Sequence, residues 1–116
     1  GFSAGGHLAS TLATRSDKHY ISNESKANLR PDFLILVYPV ISMADGITHT
    51  DSRKALLGDN PTKKAIENFS SEIQVSTAHP PTLLLHAVDD KLVDIENSIL
   101  YLEALKNKKV SVDAIF

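Results

Sequence analysis

Cysteine is absent from this chain, which excludes disulfide bonds and cysteine metal ligands within its 116 residues without identifying a cellular compartment. Charge of one sign does not prevail either. Twelve Lys and Arg face fourteen Asp and Glu, a formal net charge of −2, so nothing electrostatic favours nucleic acid or an anionic membrane surface. No apolar run approaches the length of a membrane span, and the longest, residues 33–41, suits a buried strand. Repeats and low-complexity tracts are missing, and no two histidines stand at the i, i+4 spacing of a helical zinc site. An initiator methionine is lacking and the chain opens inside a motif, so it is expected to be part of a longer polypeptide. What remains is an ordinary globular composition, 42% hydrophobic and 22% charged, within the size range of one domain.

The informative residues come first. Gly1-Phe2-Ser3-Ala4-Gly5 spells G-x-S-x-G, a sharp turn that holds a serine between a strand and a helix. Glycines flank the serine because such a turn leaves little room for side chains and other backbone must come close. Ala4, Gly5, Leu8, Ala9, Leu12 and Ala13 then recur at helical spacing and predict a helix over residues 4–15. The strand that should deliver the serine is not in the sequence. Residues 16–30 are polar and irregular and read as surface loop.

Residues 33–40 are continuously apolar, as in a parallel-sheet strand covered on both faces, and Pro39 sets the strand's end near Tyr38. Residues 41–81 hold no strand and read as a small helical insertion over the sheet. One helix is capped by Asp51 and stopped by Gly58; a second has Asn60 as N-cap, Pro61 at its first position, and Ala65, Ile66 and Phe69 as its apolar edge. Residues 70–81 return to loop. A second buried strand follows at 82–87. Next comes an amphipathic helix at 95–106, with Asp94 as N-cap and Ile95, Ile99, Leu102 and Leu105 on one side. Lys106, Lys108 and Lys109 offset its dipole, and residues 110–116 alternate as a third strand. This order predicts an α/β fold with a parallel sheet.

A serine hydroxyl becomes a nucleophile when a base takes its proton and a carboxylate orients that base. Ser3 is the candidate nucleophile, and the backbone N–H of Ala4, at the start of a helix, is the candidate oxyanion donor. A second donor would come from an earlier loop that the sequence does not contain. The acid follows the serine in chain order, on a loop after a later strand. Asp89 and Asp90 both stand there, and one of them is expected to be only a solvated loop carboxylate. No histidine follows them. His7 is expected to pack against its surroundings and His86 to be a satisfied core histidine, while His19, His49 and His79 fall in loops and are expected to be solvated. The base is therefore expected beyond Phe116. Neither metal nor cofactor is implied.

At this point the chain resembles a known family. Residues 1–9, Gly1-Phe2-Ser3-Ala4-Gly5-Gly6-His7-Leu8-Ala9, are similar to the elbow of α/β-hydrolase esterases related to acetyl-xylan and feruloyl esterases, and more distantly to hormone-sensitive-lipase-type carboxylesterases. Pro31-Asp32-Phe33 through Ile41 looks like the next strand, and Pro80-Pro81-Thr82 through Val93 like the acid-bearing strand and loop. Glu96-Asn97-Ser98, Tyr101 and Ala104-Leu105 resemble the helix that follows. The resemblance implies Ser3 as nucleophile and, from the family's D-x-x-V pattern, Asp90 as triad acid with Asp89 as fallback. Where the family has proline after that valine, this chain has Asp94. The family's histidine and its His-Gly-Gly oxyanion motif are missing.

The resemblance further implies a serine esterase acting on small acyl esters, acetyl groups on carbohydrate foremost, without cofactor, nucleic acid or membrane. The chain would be the C-terminal part of one α/β-hydrolase domain. Two alternatives stand beside it: a serine peptidase of prolyl-oligopeptidase type, and a non-catalytic fragment or degenerate hydrolase. Three strands without the rest of the sheet should leave the apolar faces of 33–40 and 82–87 partly uncovered, so folding is expected to need the missing half or another copy of the chain.

Overall fold

Two apolar runs pair in parallel at the centre of the structure, Leu34–Val37 (β1) and Thr82–Leu85 (β2), with Leu34 opposite Thr82 and Val37 opposite Leu85. Val112–Ile115 (β3) continues the sheet on the far side of β2, also parallel, with Thr82 opposite Val112. The computed structural model describes residues 1–18 and 27–116; His19 and part of the expected 16–30 loop lie outside them. Among the described residues four α-helices flank the sheet: α1 (Ser3–Thr14), α2 (Thr50–Leu57), α3 (Lys63–Phe69) and α4 (Glu96–Asn107). A 3-10 turn at Ser71–Gln74 stands where the sequence suggested only loop.

The strand that delivers the serine is represented by its last rung. Phe2 bridges Val37 in parallel on the open side of β1. Gly1 N donates to the Ile35 carbonyl at 2.8 Å, and Val37 N donates to the Gly1 carbonyl at 3.0 Å. Beyond β1 the chain leaves the sheet at Tyr38, whose φ of 38° lies in the left-handed region, followed by Pro39. The Tyr38 ring lies 5.9 Å from that of Phe2.

The core gathers on one face. Leu34, Leu36 and Leu84 pack there with Ala13 of α1, Ile41, Val75, and Tyr101 and Leu105 of α4. On the other face Ile35 is 44% exposed, Phe33 66% and Ile115 65%. The continuous apolar run therefore buries alternate residues in the described chain, not both faces.

Two helices bury a different stripe from the one their apolar residues suggested. α1 turns Gly6, His7, Ser10, Ala13 and Thr14 inward, whereas Leu8 is 71% exposed. Close approach fixes one position of that face: a Cβ on Gly6 would stand 2.6 Å from the Pro39 Cβ, so glycine is needed where α1 meets the segment after β1. Gly1 is required for a like reason, because a Cβ there would meet the Gly5 carbonyl oxygen at 2.4 Å. Gly5 itself faces open space among the described residues. α4 buries Asn97, Ser98, Tyr101 and Leu105, two of them polar. Tyr101 donates to His79 Nε2 at 2.7 Å, and His79 Nδ1 donates to the Pro80 carbonyl at 2.8 Å. His79 is thus buried and bonded, where the sequence suggested a solvated loop.

The insertion forms as helices with shifted starts. His49 takes the N-cap position of α2, Asp51 falls inside its first turn, and Gly58 at φ 83° ends it. Thr62, not Asn60, caps α3, its hydroxyl accepting from Ala65 N at 3.1 Å. Leu57, Ile66 and Phe69 then pack on a second buried cluster of Val40, Met43 and Val93, which ties the insertion to the loop after β2.

Burial lowers the pKa of His79 from 6.5, the Pro80 bond opposing and the Arg30 charge adding to it. The unfolded chain therefore takes up a proton at this site before the native one does, and stability is lost as pH falls from about 6.5. In urea titrations the unfolding midpoint should drop between about pH 7 and 5. His79→Gln should flatten part of that slope, and an unchanged slope would contradict this assignment.

Candidate active site

In a parallel sheet the C-terminal ends of all strands share one edge, and both candidate residues emerge there. Ser3 follows the Gly1–Phe2 rung directly, while Asp90 lies in the loop after β2, with β1 between them. Ser3 has φ 48°, a left-handed conformation that an L-residue adopts at a cost of roughly 1–2 kcal/mol. Its carbonyl accepts from Val40 N at 3.0 Å, and Gly6 N donates to the Phe2 carbonyl at 2.9 Å, so the strained turn is held at both ends. The Ala4 N–H belongs to the first turn of α1, where helix N–H groups have no partner within the helix and the dipole is positive. An apolar hollow of about 220 Å³ has Ala4 in its wall, together with His7, Leu8, Met43, Leu56 and Phe69.

The structure distinguishes the two aspartates. Asp89 is exposed, whereas Asp90 is partly buried and closes a turn on itself: Leu92 N donates to its Oδ1 at 2.8 Å and Val93 N at 3.1 Å. These two N–H groups hold the Asp90 carboxyl below its ordinary range, with smaller contributions from His86 and His49. Asp94 Oδ1 accepts from Glu96 N at 2.9 Å, a capping contact at the entrance to α4, although Ile95 occupies the N-cap position itself.

Among the described residues no histidine hydrogen-bonds Ser3 or Asp90. His86 is fully buried, with Nε2 2.9 Å from the Val93 carbonyl and Nδ1 2.7 Å from Ser98 Oγ. His7 donates from Nε2 to the Phe69 carbonyl at 2.7 Å, and burial is the main cause that lowers its pKa. His49 is half-buried beside Ser52 Oγ at 2.8 Å, not freely solvated.

One residue was given no role of its own by the sequence. Asn97 is fully buried, its Oδ1 accepting from Ile41 N and Ser42 N, both at 3.0 Å. Its Nδ2 donates to the carbonyls of Ile47 and Asp94, each also at 3.0 Å. It ties the segment after β1 to the foot of the Asp90 loop. The available signal was an amide sitting next to a serine on the inner side of an otherwise apolar helix face. Among the described residues no cluster of His, Asp or Glu has the makings of a metal site, and no helix is long and apolar enough to cross a membrane.

Residues 1–105 match the BD-FAE family. The chain is 42% identical over 112 residues to endo-1,4-beta-xylanase B of Butyrivibrio fibrisolvens, covering 95% of this chain and 18% of that protein. It is 40% identical over 111 residues to an acetylxylan esterase of Xylanibacter ruminicola, covering 92% of this chain and 21% of that one. The chain thus spans only about a fifth of these curated relatives, 18% and 21%. Among solved structures, an acetyl ester-xyloside bifunctional hydrolase from Caldicellulosiruptor lactoaceticus superposes with a TM-score of 0.91 at 44% identity, covering 98% of this chain and 43% of that one.

The strain at Ser3 has a measurable signature. Replacing Ser3 by Gly removes the Cβ that disfavours φ 48°, and should raise stability by about 1 kcal/mol in urea unfolding, while Ser3→Ala keeps the strain and should not. A lower midpoint for Ser3→Gly than for Ser3→Ala would show the turn to be unstrained.

Proposed function

The chain belongs to the BD-FAE family and has the α/β-hydrolase fold, and from that premise we propose that the protein carrying it is a serine esterase of small acyl esters, acetyl groups on carbohydrate foremost. The observation that carries this is the left-handed serine at the first turn of α1, Ser3 at φ 48°. Ser3 Oγ attacks the ester carbonyl, and the Ala4 N–H stabilises the oxyanion. A histidine contributed from beyond Phe116 takes the serine proton and passes it to the departing alcohol. Asp90 orients that histidine, and water then releases the acyl group. The acetylated-xylan and xyloside chemistry in the relatives' names supports carbohydrate acetyl esters, and the apolar hollow beside Ala4 offers a wall for a short acyl chain. None of the described residues supplies a base to Ser3, and the chain by itself is expected to be inactive.

We assign residues 1–116 to the C-terminal part of one α/β-hydrolase domain, with 41–81 lying over the sheet as an insertion. The remainder of that domain, or a second copy, would cover Phe33, Ile35 and Ile115, which are exposed in this chain. At about 25 cal/mol per Å² of apolar surface, such a face favours association strongly.

Two measurements test these proposals. In the full-length protein a fluorophosphonate should leave one adduct, on Ser3. Ser3→Ala should lose it, together with at least about a thousandfold in turnover of acetylated xylose. Hydrolysis that persists in Ser3→Ala removes Ser3 from the mechanism, and preferential turnover of a peptide amide would redirect the substrate class. Separately, the isolated 116-residue chain should self-associate in sedimentation. A monomer with one cooperative unfolding transition would show that its sheet needs no cover.

A further inference from the structure

Val93 is held at both of its backbone polar groups. Its N–H donates to Asp90 Oδ1 at 3.1 Å, and its carbonyl stands 2.9 Å from His86 Nε2. A carbonyl can only accept, so Nε2 carries the imidazole proton, and Nδ1 accepts from the Ser98 hydroxyl at 2.7 Å. Ser98 sits on α4, so the ring is aimed by an element outside the loop it holds. Its other neighbour is the acid itself: Asp90 Oδ2 lies 3.6 Å from Nε2, beyond hydrogen-bond reach yet close enough to feel the N–H dipole. With Oδ1 taken by Leu92 N and Val93 N, Oδ2 is the oxygen still able to accept a strong bond.

We propose that His86 is a positioning residue for Asp90: by donating to the Val93 carbonyl it fixes the turn whose N–H groups hold Oδ1, and so keeps Oδ2 available to the catalytic histidine. This rests on Asp90 being the triad acid. The β2 strand ends at Leu85, so His86 is the first residue past the sheet and Asp90 the fifth. A loop of that length has many conformations, and the His86 bond selects among them from a fully buried anchor. His49 also bears electrostatically on Asp90, but from the insertion and without a bond to the loop's backbone.

The test uses the full-length enzyme, with Ser3→Ala as the inactive reference. His86→Asn keeps an amide in reach of Ser98 but is too short for Val93, whereas the His86→Gln amide extends to about the Nε2 position. His86→Asn should lower kcat by roughly tenfold or more at nearly constant KM, and His86→Gln should restore it to within about threefold of wild type. Displacing Asp90 also withdraws the negative charge that favours protonation of the base. The acid limb of the kcat/KM profile should therefore move to lower pH by about half a unit in His86→Asn.

In an Asp90→Asn background, His86→Asn should add less than about a twofold further loss, because the group it acts through is already gone. Ser98→Ala, which frees the ring without removing it, is the milder second variant and should move the acid limb the same way by less. An unmoved limb in both variants, or a full additive loss in the Asp90→Asn background, overturns the proposal. If Asp90→Asn alone leaves kcat unchanged, the acid assignment fails and His86 falls with it. That result is distinct from additive losses, which would overturn the role of His86 alone.

Discussion

Six backbone N–H groups in residues 37–43, one from each residue except Pro39, which has none, hold this structure together. Val37 N donates to Gly1, Tyr38 N to Leu85 and Val40 N to Ser3. Ile41 N and Ser42 N donate to Asn97 Oδ1, and Met43 N to Ser70 Oγ. In seven residues the chain leaving β1 thus touches the serine turn, the neighbouring strand, the foot of α4 and the end of α3. Val40, Ile41, Ser42 and Met43 are buried, and a buried N–H left unpaired costs about 1–3 kcal/mol, so their partners are strongly specified. The segment can play this part because Tyr38 and Pro39 break the strand just where the sheet stops supplying acceptors.

From that segment the site is built outward on two arms. One runs through Gly6, whose missing side chain lets α1 lie on Pro39 and present Ser3 in its left-handed turn. The other runs through Asn97 to Asp94, and beside it through His86 and Val93 to Asp90. Neither arm relies on an exposed ion pair, a kind of contact worth at most about 1 kcal/mol. The carboxylate is fixed by backbone donors, which hold their geometry at lower entropic cost than a long side chain does.

Much of this was legible in the sequence, and what was not has a common physical cause. The G-x-S-x-G turn, the alternation of strands and helices, and a loop carrying Asp89 and Asp90 after β2 depend on local chemistry, and the fold reproduces them. The family assignment drawn from residues 1–9 and 80–105 agrees with the match over residues 1–105. Apolar periodicity located α1 but not its buried side, because the helix lies against Pro39 through Gly6 and Leu8 faces out. It failed on α4 because the inner side there satisfies backbone groups from Ile41, Ser42 and Ile47 as well as burying Tyr101 and Leu105. His79 looked like a loop residue and proved to be a core one, since its partner Tyr101 is 22 positions away. Such pairings are long-range, and spacing within one element does not encode them.

Parallel pairing divides the molecule's two rims between different kinds of change. Every strand here ends toward the rim that carries Ser3 and Asp90, so every return connection must arrive at the opposite rim, near Phe33, Pro81 and Ser111. Insertions there lengthen a path without moving a reacting group. On the rim bearing the serine the 41–81 insertion leaves from β1, yet the segment it leaves from, residues 37–43, stays tied to the serine turn and to the foot of α4. Length can therefore be added on the serine's own side only beyond residue 43, where the chain is past the bonds that hold the turn.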